Sequence, residues 1–206
     1  MGFYGQRILP NLIGCVCSRG AIMKQRAKVV PKARGRVLEV GIGAAPNLEL
    51  YDSGKVEQLI GVDPSAGMRR KAAKKLAGTA IAHELLDAGG EALPLDDASV
   101  DTIVLTYTLC SIPDAEQAMR EMRRVLKPEG QLLFCEHGRA PDPGVLRWQE
   151  RIEPVWKRIA GGCHLARPMD RLIVGGGFAI REMEAEYMPG SPRFSGFDYI
   201  GTATPV

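Results

Sequence analysis

Several kinds of residue are scarce in this 206-residue chain, and each scarcity removes a class of protein. Five cysteines are present (Cys15, Cys17, Cys110, Cys135 and Cys163), an odd number with no C-x-x-C pair. A chain of this size needs no staples, so reduced thiols and a cytoplasmic location are expected. Only three histidines occur, His83, His137 and His164, and none is spaced with a cysteine as zinc ligands usually are. No metal site is expected on that ground. No run approaches the roughly 20 apolar residues that cross a bilayer. The net charge of +3 is too mild to argue for nucleic acid as a partner. The one dense basic run, RRKAAKK at residues 69–75, reads as a solvated helix face or, alternatively, a phosphate-binding face. Internal repeats and low-complexity tracts are absent.

The N-terminal run ILPNLIGCVC is apolar, and its LIGC resembles a bacterial lipoprotein cleavage site. It is short, is broken by Pro10 and Asn11, and follows a region with one charge, Arg7. Position 6 lacks the Ser or Thr that myristoylation favours. Three readings stay open: lipidation, a lid or interfacial helix in peripheral contact with a membrane, and a plain packing helix. Residues 1–34 are taken as this separate segment, and 35–206 as one domain.

From Arg36 onward, short apolar runs alternate with amphipathic helical patterns, as in a parallel sheet covered on both faces. RVLEV, QLIGVD, AIAHELLDA, VDTIVLTYTL and QLLFCEH read as five successive strands. A short helix is expected in APNLELY, and another with Met68, Ala72 and Leu76 on its apolar face. A third is capped by Asp114, turns Ala118, Met119, Met122 and Val125 inward, and is expected to end at Pro128 and Gly130. A helical insert at about 141–176 follows, before a closing antiparallel pair in FAIREMEAEYM and FDYIGTATP.

Strand, glycine loop, helix, and an acidic residue about 20 positions later describe a site for an adenosine-containing ligand. Gly41 and Gly43 let the backbone approach the ligand, and Asp63 offers acceptors for both ribose hydroxyls. The third glycine of G-x-G-x-x-G is missing, however, and Pro46 stands there. Proline has no N–H to give a diphosphate, and Glu39 just upstream would repel one but suit a cation. Ribose, positive charge and no phosphate together point to S-adenosylmethionine, and away from an NAD-dependent oxidoreductase.

VLEVGIGAAPNL, GVDPS, EALPLDDASVDTIV and RRVLKPEGQLLFCEHG resemble, in order, the motifs of class I S-adenosylmethionine-dependent methyltransferases. The resemblance implies a doubly wound, Rossmann-like α/β fold with a mixed seven-stranded sheet in the order 3-2-1-4-5-7-6, the last strand antiparallel. It also implies cofactor contacts at Glu39, Gly41, Gly43, Asn47 and Asp63, adenine-side contacts at Pro64, Ser65 and Met68, and contacts at Gly90, Glu91 and Ala92, where Gly89 replaces a usual acid. Thr106 and Leu109 would border the methionine end. At Ala45, where many relatives have glycine, a methyl group is tolerable if the backbone needs no positive φ. TLCSI, FCEHG, WKRIAGGCHLAR and YIGTA further resemble thiol S-methyltransferases.

Candidate acceptor-side residues follow from position. His137 lies just past strand five and His164 in the insert; either would touch substrate or make a hydrogen bond that fixes the insert. Cys110 follows strand four, near the expected methyl group, and is otherwise a buried filler; Cys163 is similar. Tyr107 would stand at the pocket mouth. Trp148 and Trp156, eight residues apart, fit a core or the wall of an apolar pocket. Arg167, with Arg147, Arg151 and Lys157, would bind an anionic group or only solvate a helix. The expected activity is methylation of a small, hydrophobic acceptor, a thiol by preference. An amine or phospholipid headgroup N-methyltransferase and a non-catalytic S-adenosylmethionine-binding module are the alternatives.

Overall fold

A computed structural model describes residues 20–206. The apolar run with Cys15 and Cys17, and the readings of lipidation, lid or membrane contact that rest on it, lie outside the described residues. Helix α1 (Gly20–Arg26) and a 3-10 turn (Val30–Lys32) lead into β1 (Gly35–Val40), a second 3-10 turn (Pro46–Leu50), β2 (Val56–Val62), α2 (Ala66–Leu76) and β3 (Ala82–Leu86). Next come β4 (Val100–Thr106), α3 (Ala115–Val125), β5 (Leu126–His137), α4 (Pro143–Ile159), α5 (Met169–Gly175), β6 (Phe178–Tyr187) and β7 (Phe197–Pro205). Among the described residues, no helix is long and apolar enough to cross a membrane.

The strands form one seven-stranded sheet in the order β3-β2-β1-β4-β5-β7-β6. β1 to β5 are parallel, and β7 runs antiparallel to β5 and to β6. The doubly wound α/β fold, its strand order and its reversed last strand are therefore as the motifs implied. Strand order reverses between β1 and β4, which opens a crevice beyond their carboxyl ends.

Continuous apolar runs arise because side chains alternate between two buried faces. Leu38, Val40, Ile103, Leu105, Leu132 and Phe134 enter one core, packed with Met119, Met122 and Val125 of α3 and Ile173 of α5. Their neighbours Val37, Leu59, Val104, Leu133 and Cys135 enter the other, with Ala72 and Leu76 of α2 and with Val29, Val30 and Ala33. The second core thus extends N-terminal of β1. Asp114 caps α3 as expected, its carboxylate accepting from the Gln117 N–H at 2.9 Å. The helix nevertheless ends at Val125, short of Pro128, because a residue before proline is driven to extended geometry and the chain passes straight into β5. APNLELY forms a 3-10 turn rather than an α-helix.

Ala45 corrects another expectation. It precedes that turn with φ 55° and ψ 51°, so the backbone there does take the left-handed conformation. An L-residue pays about 1–2 kcal/mol for it. The methyl group is buried in the second core, and its burial offsets part of that cost.

Candidate active site

At the carboxyl end of β1, Glu39 is 1% exposed. Its two oxygens accept from Asn47 Nδ2 at 2.9 Å and from the Tyr51 hydroxyl at 2.6 Å, which ties the turn after the glycine loop to the strand. Asn47 Oδ1 in turn accepts from the Arg26 guanidinium at 2.9 Å, and both Arg26 and Asn47 donate to Thr106 Oγ1. Four elements therefore meet at one buried polar knot. Burial raises the Glu39 carboxyl from 4.5 to about 7, against the opposing pull of Tyr51, the Arg26 charge and Asn47.

Gly41 and Gly43 take φ of 71° and 56°, open to glycine and costly elsewhere. A Cβ at Gly41 would overlap the Thr108 side chain, whereas at Gly43 it would meet nothing closer than 3.9 Å. The loop is thus packed at one glycine and open at the other. Asp63, just past β2, accepts from the Gly43 N–H at 3.0 Å and the Ser65 N–H at 2.7 Å, one bond to each oxygen. Ser65 also caps α2, Met68 is buried and Pro64 is exposed. Gly90 is buried, Glu91 half-buried and Ala92 exposed beyond β3.

On the other side of the crevice, the loop after β4 is held by a residue the sequence reading missed. Glu136, fully buried near the end of β5, accepts from the N–H groups of Thr108, Leu109 and Cys110 at 2.6, 3.1 and 3.4 Å. Arg167 completes the clamp from outside, donating to the carbonyls of Leu109, Ile112 and Pro113. Three of its hydrogen bonds thus go to backbone carbonyls. His164 likewise fixes the insert: its N–H donates to Cys110 O at 2.8 Å and its Nδ1 lies 3.1 Å from Glu153. Glu153 also accepts from the Leu165 and Ala166 N–H groups. The structural role, one of the two readings for His164, is the one the geometry displays.

His137, Cys110, Cys163, Tyr107 and Trp156 do converge. His137 Nε2 lies 3.1 Å from Cys163 Sγ, which also accepts from Trp156 Nε1 at 3.3 Å. The Tyr107 ring stacks near His137 with centroids 6.5 Å apart, and its hydroxyl donates to Asp198 at 2.9 Å. Tyr107 takes φ 51°, a genuine outlier for a bulky residue and of a kind that clusters at functional sites. Both tryptophans border one apolar groove along α4, with Ile152 and Val155. Trp156 packs edge-on to Phe194, while Trp148 is 51% exposed with Val155 and Ile159 on the outer side of α4.

Besides Glu136, sequence reading missed Arg26 and Gln149. Gln149 is buried; its amide donates to the carbonyls of Gly138, Leu165 and Phe194 and accepts from the Ala140 N–H. Glu136 had a detectable signal, a carboxylate inside an otherwise apolar strand. Arg26 and Gln149 had none, since each looks like one more polar position on a helix.

The raised Glu39 carboxyl has a stability consequence. Below pH 4.5 it is protonated folded or unfolded and contributes no difference. As pH rises to about 7, the unfolded chain releases the proton and the folded one keeps it, so stability falls. Glu39→Gln abolishes that loss. Denaturant melts without ligand are expected to show the variant more stable at pH 8 by about 3 kcal/mol, with little difference at pH 4.5. Equal stability at both pH values would overturn the assignment.

Residues 38–134 match the family described as a methyltransferase domain. The chain is 35% identical over 157 residues to thiol S-methyltransferase TMT1B of Rattus norvegicus, covering 74% of this chain and 63% of that one. It is 31% identical over 175 residues to TMT1B of Homo sapiens, covering 80% and 71%. It thus spans just under two thirds of the rat relative's length. A solved S-adenosylmethionine-dependent methyltransferase of Thermotoga maritima, a possible histamine N-methyltransferase, has a TM-score of 0.70 at 21% identity and covers 98% of both chains. That likeness concerns the fold alone. Strand order, carboxylates at the ends of β1 and β2, and kinship across four fifths of the chain lead to one conclusion: it belongs to the class I S-adenosylmethionine-dependent methyltransferases and is similar to their TMT1 thiol S-methyltransferase group.

Proposed function

We propose that the chain methylates the thiol of a small apolar molecule at the expense of S-adenosylmethionine. The residues fit that cofactor. Each Asp63 oxygen carries one backbone bond and retains a lone pair for a ribose hydroxyl. Among the described residues Gly43 borders open space and the buried Arg26 Nε has no partner, a spare donor beside the knot that holds Glu39. When bound, the cofactor supplies a methyl group on a positively charged sulfur, an electrophile that an aligned nucleophile displaces in line.

In this reading Asp63 holds the ribose, and Glu39, Asn47 and Arg26 hold the methionine end. Glu136 and Arg167 keep the loop 107–113 in one conformation, so that the crevice is preorganised. Tyr107 and Trp156 supply aromatic walls that exclude water from the transfer. The single observation that carries a thiol acceptor is the kinship to thiol S-methyltransferases, which extends over 74–80% of the chain and so well beyond the cofactor motifs. Sulfur and aromatic side chains converging beside the crevice support it.

A second reading has its own observation. Asp198 Oδ1 is buried without a partner among the described residues and would suit a protonated amine, which favours N-methylation. Transfer assays with an alkyl thiol, a primary amine and phosphatidylethanolamine separate the two. Methylation of the thiol is expected, with a rate rising about tenfold per pH unit below the thiol's own pKa, because the thiolate is the nucleophile. Turnover of the amine alone would replace the thiol reading. Cofactor binding with no acceptor turned over would leave a binding module.

A further inference from the structure

Three soft ligand groups that lie far apart in the chain are brought to one point. Cys110 Sγ, His137 and Cys163 Sγ place their ligand atoms all within 4.8 Å of one another. Each comes from a different element: the loop after β4, the end of β5, and the turn between α4 and α5. Linear spacing gave no hint of this, because the zinc signature sought in sequence is a local one.

The three positions are fixed at the backbone, Cys110 through the neighbours of the other two. The Cys110 N–H is fixed by Glu136 and its carbonyl by His164. His137 is paired with Asp198 in the β5–β7 ladder, and Cys163 closes the end of α4 through its N–H to Ala160 O. Donors whose backbone is already hydrogen-bonded in place need little reorganisation to bind an ion. Zinc bonds of about 2.3 Å to sulfur and about 2.0–2.1 Å to nitrogen put tetrahedral ligands roughly 3.5–3.8 Å apart. The 3.1 Å between His137 Nε2 and Cys163 Sγ, and the 4.8 Å limit on the whole cluster, lie a few tenths of an ångström to about one ångström from that geometry. Trp156 Nε1 already donates to Cys163 Sγ, the kind of outer contact that stabilises a metal-bound thiolate.

We propose that Cys110, His137 and Cys163 form a binding site for one zinc-class divalent ion, with the fourth coordination position open toward the acceptor crevice. Two cysteines and one histidine with a vacant position is a donor set of catalytic rather than purely structural zinc sites. The class of ligand that suits the vacancy is a thiol sulfur. On binding, the thiol releases its proton to solvent and the sulfur keeps the electron pair that forms its bond to the methyl carbon. The carbon–sulfur bond of the cofactor's sulfonium breaks as that bond forms, and its electron pair returns to the departing neutral sulfur. The product, a thioether, is a poorer ligand than the thiolate and is free to leave. This last part rests on the thiol reading above; the metal site itself does not.

The full chain, reduced and titrated with Co²⁺ in place of zinc, is the test. Uptake of about one equivalent with a thiolate-to-metal charge-transfer band is expected, and the band disappears in Cys110→Ser and weakens in His137→Gln. Cys15 and Cys17 are present in every sample, so dependence on Cys110 assigns the ion to this site. Circular dichroism of each variant distinguishes loss of the site from loss of the fold. Absence of the band in the parent chain overturns the site, as does a band unchanged in both variants. So does a Cys110–Cys163 disulfide that accounts for both sulfurs in freshly purified protein by mass spectrometry. An alkyl thiol that alters the band extends the proposal to the vacant position. A stoichiometric band with no thiol turnover supports the metal site while removing the thiol reading.

Discussion

Asp63→Ala is expected to lower affinity for S-adenosylhomocysteine at least 100-fold in calorimetric titration, with the circular dichroism spectrum unchanged. Two hydrogen bonds from ribose hydroxyls to an ionised carboxylate are worth about 1.5–3 kcal/mol each, and every 1.4 kcal/mol is about tenfold in affinity. Asp63 also orders the loop itself through Gly43 and Ser65, so both preorganisation and direct contact are lost together. The fold should survive, because burial raises the Asp63 carboxyl and makes its ionised form a burden on the folded state. Asp63→Asn, which retains one carbonyl oxygen, should fall between the two. Retention of near-parental affinity in Asp63→Ala would remove Asp63 from the cofactor site, and tight binding of NADH by the parent chain would remove the methyl-transfer reading.

Glu136→Ala is expected to lower the melting temperature by about 10 °C and to abolish transfer. Its carboxylate is the acceptor for three consecutive N–H groups, and without it the donors of Thr108, Leu109 and Cys110 are left in a water-poor interior. Bonds to a charged group contribute about 1.5–3 kcal/mol apiece, and part of that sum is offset by the cost of burying the charge. Burial raises this carboxyl from 4.5 to about 7, which sets the scale of the offset. A net loss of about 3–5 kcal/mol corresponds to about 10 °C in a domain of this size. Glu136→Gln keeps one carbonyl acceptor and sheds the buried charge, so its melting temperature should stay near the parent's at neutral pH. A melting temperature within about 2 °C of the parent in Glu136→Ala would show that the loop has other support.

The fold was legible in the sequence because burial on both faces of the sheet writes itself as short apolar runs, and because Glu39, Gly41, Gly43 and Asp63 stand at fixed offsets from β1 and β2. Local chemistry at local spacing is what a sequence displays. Arg26 and Thr106, 80 residues apart, share a hydrogen bond that no spacing announces. His137 and Cys163, separated by 26 residues, meet only because the insert folds back over the end of β5. Arg167 was legible as a cation near the acceptor, but not as a clamp on backbone carbonyls, since its partners are main-chain atoms that any sequence would offer. Ala45 failed differently: alanine carries no mark of the left-handed conformation that glycine would have advertised.

Gln149 has a consequence for how the region after β5 can vary. One amide fastens Gly138, Leu165 and Phe194 together, and with Glu153, which holds Leu165 and Ala166, it latches the inward side of α4. Trp148 and Val155, on the same helix, are exposed among the described residues and take no part in that latch. Changes at Trp148 or Val155 would therefore leave the latch in place. A graft of another protein's insert onto this sheet would have to bring the amide with it, whatever else it changed.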